Sequence, residues 1–139
     1  MNRAIPFAEM LEAFEFASFG QPGESEAYLR KDTGTFHYHS EHGDEEPLPS
    51  DIESERYIAI PHKNDLNLGK TLALRFAAEV MPDDETEIRA IFSRSGAYAR
   101  FRDLLENRGT IQQWYDFEEK AKAEALRAWC SDNAIAIDG

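Results

Sequence analysis

The chain has 139 residues, a formal net charge of −12 at pH 7, and 42% hydrophobic and 12% aromatic residues. That length fits one domain able to bury its own core, and the aromatic content excludes a disordered chain. The single cysteine excludes an internal disulfide framework, no stretch approaches the roughly 20 apolar residues of a bilayer span, and the start MNRAIPFAEM lacks the apolar run of a signal peptide, so a cytoplasmic protein without a membrane partner is expected.

Residues 7–17, FAEMLEAFEFA, predict an amphipathic helix. Phe7, Met10, Leu11, Phe14 and Ala17 share one stripe, with Glu9, Glu12 and Glu15 outside it. Phe16 falls on the glutamate side. FGQPG ends the helix, since Gly20 and Gly23 permit turns and Pro22 blocks continuation. SEAYLRK and TFHYHS, joined by DTG, predict a hairpin turning at Gly34. Alternation sets Tyr28 and Arg30 opposite Ala27 and Leu29, and Phe36 and Tyr38 opposite His37 and His39. A polar acidic loop follows over 41–55, and RYIAIP reads as a third strand closed by Pro61.

From Asn67 to Met81 the pattern is helical and apolar round most of the circumference. Asp65 or Asn67 is the expected N-cap and Pro82 the stop. DDETEIRAIFSRS predicts a short helix with acidic residues in its first turn. Gly96 separates it from a helix carrying Ala97, Phe101, Leu104 and Leu105 on its core stripe, with Gly109 as the expected C-cap. The last helix starts near Thr110 and runs to about Ser131. Ile111, Trp114, Phe117, Ala121, Ala125, Ala128 and Trp129 line one side. Segregated strands and helices argue for α+β: a small antiparallel sheet of about three strands packed with a mainly helical C-terminal half. A single domain over 1–139 is expected, made of the N-terminal helix and hairpin, the acidic loop and a helical half over 65–133.

The histidines His37, His39 and His42 stand as H-x-H-x-x-H, followed by Asp44, Glu45 and Glu46. His37 and His39 on one strand face form a candidate metal pair, with His42, Asp44 or Glu45 as a third ligand, and hence a candidate metal-dependent enzyme. A solvated strand face running into a charged loop explains the pattern better, because the third ligand would come from the loop and no residue is identifiable to orient the ligands. Glu9, Glu12 and Glu15 read as a wet helix face. Cys130, at a helix C-terminus where the dipole disfavours a thiolate, reads as inert. No phosphate-binding loop, dinucleotide fingerprint or nucleophile elbow is present, so no cofactor is expected and no reaction is fixed.

Charge is unevenly spread. Residues 1–70 carry six Lys or Arg against fourteen Asp or Glu, while 89–108 carry five Arg against Asp103 and Glu106. Arg94, Arg100 and Arg102 surround the turn at Gly96, with Tyr98 four residues before Arg102. A helix N-terminus beside guanidinium groups suits an anion, and Arg interleaved with aromatics suits bases and phosphates. The competing reading pairs these arginines with internal carboxylates, joined to an ion pair of Glu118 and Lys122 in the last helix. Three functions follow in order: a non-catalytic module that binds another protein, steered by its acidic front; a nucleic-acid or phosphate binder through 94–102; and the metal-dependent enzyme.

The segment from Ile88 to Ile135 resembles the C-terminal signature of bacterial uncharacterised protein family 0158. The matching positions are Gly96, Ala97, Tyr98, Phe101, Arg102, Asp103, Trp114, Tyr115, Phe117 and Trp129. The N-terminal amphipathic helix, the hairpin, and RYIAIP after an acidic loop also fit. The resemblance implies a small cytoplasmic bacterial protein without a known catalytic motif. In that family the second hairpin strand and the loop are acidic but carry no histidines, which makes the histidines particular to this chain.

Overall fold

The computed structural model of the protein describes residues 4–40 and 47–139. The fold is α+β, and its contacts group into two compact units: Met1–Leu66 with Glu124–Gly139, and Asn67–Ala123.

In the first unit β1 (Ile5–Pro6) runs directly into α1 (Phe7–Ala17). Phe7, Met10, Phe14 and Ala17 are buried on the expected stripe, joined by Ala13, and the three glutamates are exposed. Phe16, on the glutamate side, is half-buried because its ring meets Tyr38 edge-on at 4.9 Å. The hairpin forms as β2 (Ser25–Arg30) and β3 (Thr35–Ser40), with Ala27 opposite Tyr38 and Leu29 opposite Phe36. β4 (Tyr57–Ala59) pairs antiparallel with the other edge of β2, so the strand order is β3-β2-β4. Ala27 and Leu29 are buried on the face that α1 covers. Of the acidic loop, 41–46 lies outside the described residues. The remainder turns twice, through Ile52 N–H to Pro49 O and Ser54 N–H to Asp51 O.

One pairing escapes the sequence reading. β5 (Ile137–Asp138) pairs in parallel with β1, Ile5 facing Ile137. Two residues are too few to show alternation, so neither strand has a periodic signal. Arg127 braces the tail, donating to the Gly139 carbonyl at 2.8 Å while its guanidinium lies 3.8 Å from the Phe7 ring centroid.

The second unit holds α2 (Lys70–Val80), α3 (Glu85–Ile91), α4 (Ala97–Arg108) and the first half of α5 (Ile111–Asp132). Its core is aromatic. Phe101 stands edge-on to Phe92 and Trp114, at 5.2 and 5.1 Å, and Phe76 stands edge-on to Trp114 and Phe117, at 5.3 and 5.2 Å. α4 ends as the sequence predicts, in a paired-bond C-cap: Gly109 N–H reaches Glu106 O and Thr110 N–H reaches Leu105 O.

Two local expectations are corrected. Neither Asp65 nor Asn67 caps α2, which starts at Lys70 behind Gly69 with no side-chain cap. The Asp65 carboxylate instead accepts His62 N–H at 3.0 Å, closing a 3-10 turn over Lys63–Leu66. Asn67 then takes a left-handed φ of 58°, which breaks the chain direction before the helix. In α5, Ala128 is exposed while Leu126 and Cys130 are buried. Leu126 and Cys130 lie about a third of a turn or more round the axis from Trp114. They belong to the first unit, and their burial there follows the packing of that unit.

Candidate functional site

The turn at Gly96 is built as expected. α3 ends at Ile91, the Ser93 hydroxyl donates to Ala90 O at 2.6 Å, and Gly96 takes φ 72°, ψ 19° before α4 opens at Ala97. A left-handed residue here is what allows two helices to meet at a break, and glycine adopts it without the Cβ clash. No side-chain hydrogen bond caps α4, and its first N–H groups have no acceptor within the helix. Arg100, one turn in, leans back toward the helix start and donates to the Ser95 carbonyl. Arg94 and Arg100 together line an open depression of about 330 Å³, with Glu87, Ala90, Ile91 and Ser93.

Arg94, Arg100 and Arg102 are all exposed, and none joins an ion pair among the described residues. They are therefore not the buried, internally paired cluster of the competing reading. Arg102 and Tyr98 do not line the depression. Tyr98 packs edge-on to Phe92 at 5.2 Å, and burial, then the Glu118 carboxylate, push its phenol above the ordinary value. The structure thus joins Arg94 to Arg100 and sets Tyr98 against the core. Glu118 and Lys122 are half-buried on α5.

His37 and His39 lie on one face of β3, across from Tyr28 and Glu26. His37 meets the Tyr57 ring edge-on at 5.6 Å, and His39 is exposed. His42, Asp44 and Glu45 lie outside the described residues. Among the described residues no three His, Cys, Asp or Glu side chains gather as metal ligands. Cys130 is buried, and burial pushes its thiol up to about 11, with Arg127 pulling weakly the other way, so at neutral pH it is a protonated, shielded thiol.

The sequence reading overlooked a second place, in the first unit. His62 is 5% exposed, and both ring nitrogens are used: Nδ1 accepts Asn64 N–H at 3.0 Å, which leaves Nε2 to donate to Gly20 O at 3.0 Å. The next residue, Lys63, donates its N–H to the Ser18 hydroxyl at 3.0 Å. These two bonds pin the loop after α1, and that loop carries Phe19, 75% exposed. Pro22 and Gly23 of the same loop help to line a pocket of about 180 Å³, with Ser25, Glu26, Tyr28, His62 and Asp65, and Phe19 is not part of its wall. Phe19 sits within a turn signal, where an apolar residue announces nothing. The role of His62 depends on a partner far away in sequence.

No protein family model matches the chain, and no curated protein or solved structure matches it. No helix of the described residues is long and apolar enough to cross a membrane.

Proposed function

We propose that the protein is a non-catalytic interaction module whose partner is another protein. The observation that carries this reading is Phe19. It is the most exposed of the large hydrophobic side chains among the described residues, on a loop held by the His62–Gly20 and Lys63–Ser18 bonds. A large apolar side chain displayed on a pinned backbone loses little freedom on binding, which is how aromatic anchors gain affinity. The excess of carboxylates in residues 1–70 favours encounter with a basic surface. The likeness to family 0158 adds no activity to this reading. The test is affinity capture from native host extract, with and without nuclease. A protein retained after nuclease treatment and lost with Phe19→Ala, at unchanged melting temperature, is the expected result. Capture that depends on nucleic acid contradicts it.

A second reading is favoured by one observation: Arg94 and Arg100 are exposed, free of ion pairs among the described residues, and share a depression with residues of α3. That arrangement suits a phosphate of a nucleic acid. Binding of single-stranded RNA should then fall steeply with salt, and Arg100→Ala and Arg102→Ala should each weaken it and flatten the salt slope by about one unit. Salt-independent or absent binding rejects this reading.

A further inference from the structure

We propose that the outer edge of β3 takes an extended, lysine- or arginine-bearing segment of the partner protein as an added strand, its basic side chains lying against Glu9 and Glu12 of α1. The inference rests on the interaction-module reading and names how the partner is held. Three observations carry it.

The first is which backbone groups the sheet leaves open. Successive residues of a strand turn their N–H and C=O to opposite sides. Ile60 N–H bonds to Ala27 O and Lys31 N–H to Arg56 O, so Ala27, Leu29 and Lys31 turn theirs toward β4. Glu26, Tyr28 and Arg30 therefore face β3, where His39, His37 and Thr35 are their partners. Phe36 and Tyr38, which alternate with those partners, turn their N–H and C=O outward. β3 is an edge of its sheet, and among the described residues no other segment bonds to those groups. Each of the two residues offers a donor and an acceptor at strand spacing, the complement of another extended backbone.

The second is the contrast between the two edges of this sheet. An open edge invites pairing with another chain, and proteins blunt it by shortness, proline, charge or a bulge. β4 is blunted: it has three residues, and Pro61 stands just beyond it. β3 runs for six residues, Thr35–Ser40, in unbroken register with β2. It holds no proline and no Asp, Glu, Lys or Arg. One edge is closed to strand addition and the other is long, regular and undefended.

The third is what flanks the open edge. Phe36 and Tyr38 put their side chains on the face shared with Ala27 and Leu29, where α1 packs. Both are half-buried, their rings stacked at 6.4 Å, and Phe16 of α1 meets Tyr38 edge-on. Glu9 and Glu12 stand exposed on the same helix. Burial, then the charges of Glu12 and Glu9, hold the Tyr38 phenol above its ordinary value, which places both carboxylates near the edge. Neither joins an ion pair among the described residues. A strand laid along β3 sends alternate side chains onto this face. There they meet aromatic rims and carboxylates, which suits an alkyl stem with a cationic head.

The edge is tested on the full chain with a capped peptide of alternating lysine and valine, its glutamate–valine counterpart serving as control. The basic peptide should slow amide exchange at Phe36 and Tyr38, and the acidic one should not. Glu9→Gln combined with Glu12→Gln should weaken the basic peptide about fivefold, the scale of two exposed ion pairs. Tyr38→Ala and Tyr38→Pro both remove the ring, but only proline removes the outward N–H, a change that edge strands tolerate. Tyr38→Pro should therefore bind about fivefold more weakly than Tyr38→Ala, the worth of one hydrogen bond. Unchanged exchange at Phe36 and Tyr38 in the wild type, or equal binding of the two peptides, overturns the site. A dimer of the chain alone that Tyr38→Pro abolishes and Tyr38→Ala keeps gives the edge to a second copy, and also overturns it. The captured partner gives the second readout, and Tyr38→Pro should release it. A partner that ignores that substitution overturns the edge site while the module reading stands. Binding of the basic peptide with no protein ever captured overturns the module reading and leaves the strand site in place.

Discussion

His62 donates through Nε2 to the carbonyl oxygen of Gly20 at 3.0 Å, across a sequence separation of 42 residues. That one bond ties the segment after the sheet to the loop that displays Phe19. His62→Ala removes a buried ring and leaves the Gly20 carbonyl without its partner. The expected cost is about 2–4 kcal/mol, from lost packing plus an unmet acceptor. Urea denaturation measures it. Faster amide exchange at Gln21 and Gly23 should accompany the loss, and an unchanged midpoint would show that the loop is held by other means.

Phe101 is fully buried between Phe92 and Trp114. Phe101→Ala should cost about 3–5 kcal/mol, the range for a core aromatic. A loss below about 1 kcal/mol would contradict the packing described.

Tyr28 gives the chain an alkaline signature. Its phenol is pushed up to about 12, first by burial, then by its bond to the Glu26 carboxylate and by that group's charge. In the unfolded chain a tyrosine titrates near about 10. The folded state therefore holds the proton longer. The stabilisation is complete below about pH 10 and is lost as pH rises from there through about 12. Denaturation midpoints should fall over that window in the wild type and fall less in Tyr28→Phe. Parallel profiles would reject the coupling.

Arg94 is exposed at the rim of the depression beside Gly96. Arg94→Gln should change stability by no more than about 0.5 kcal/mol, as expected of a surface position with no structural bond. A larger drop in denaturation midpoint would return the arginine to a structural role.

Much of this architecture is written locally. The hairpin faces follow from alternation alone, because Ala27 and Leu29 point one way and Tyr28 and Arg30 the other whatever they pack against. The breaks at Gly96 and Gly109 are legible because few residues other than glycine accept the left-handed conformation found there. What stayed hidden depends on distance. Asp65 looked like a helix cap, and only the placement of His62 shows why its carboxylate is spent elsewhere. Ala128 fits the apolar stripe of α5, but Leu126 and Cys130 are the residues buried in that stretch, which only the packing of the first unit reveals. The arginines at 94, 100 and 102 were visible as a cluster. Their exposure was not, since the many carboxylates of the chain made internal pairing equally reasonable.

The pairing of Ile5 with Ile137 sets the order in which the molecule can assemble. The helices of 67–123 draw their contacts from one continuous stretch, so they can form as soon as that stretch leaves the ribosome. β1 has no such option, because its partner strand is synthesised after every helix. The unit that starts first is thus completed last, and its closure carries the loop entropy of almost the whole chain. In refolding experiments the slow phase should belong to α1 and its strand, not to the longer helices that follow.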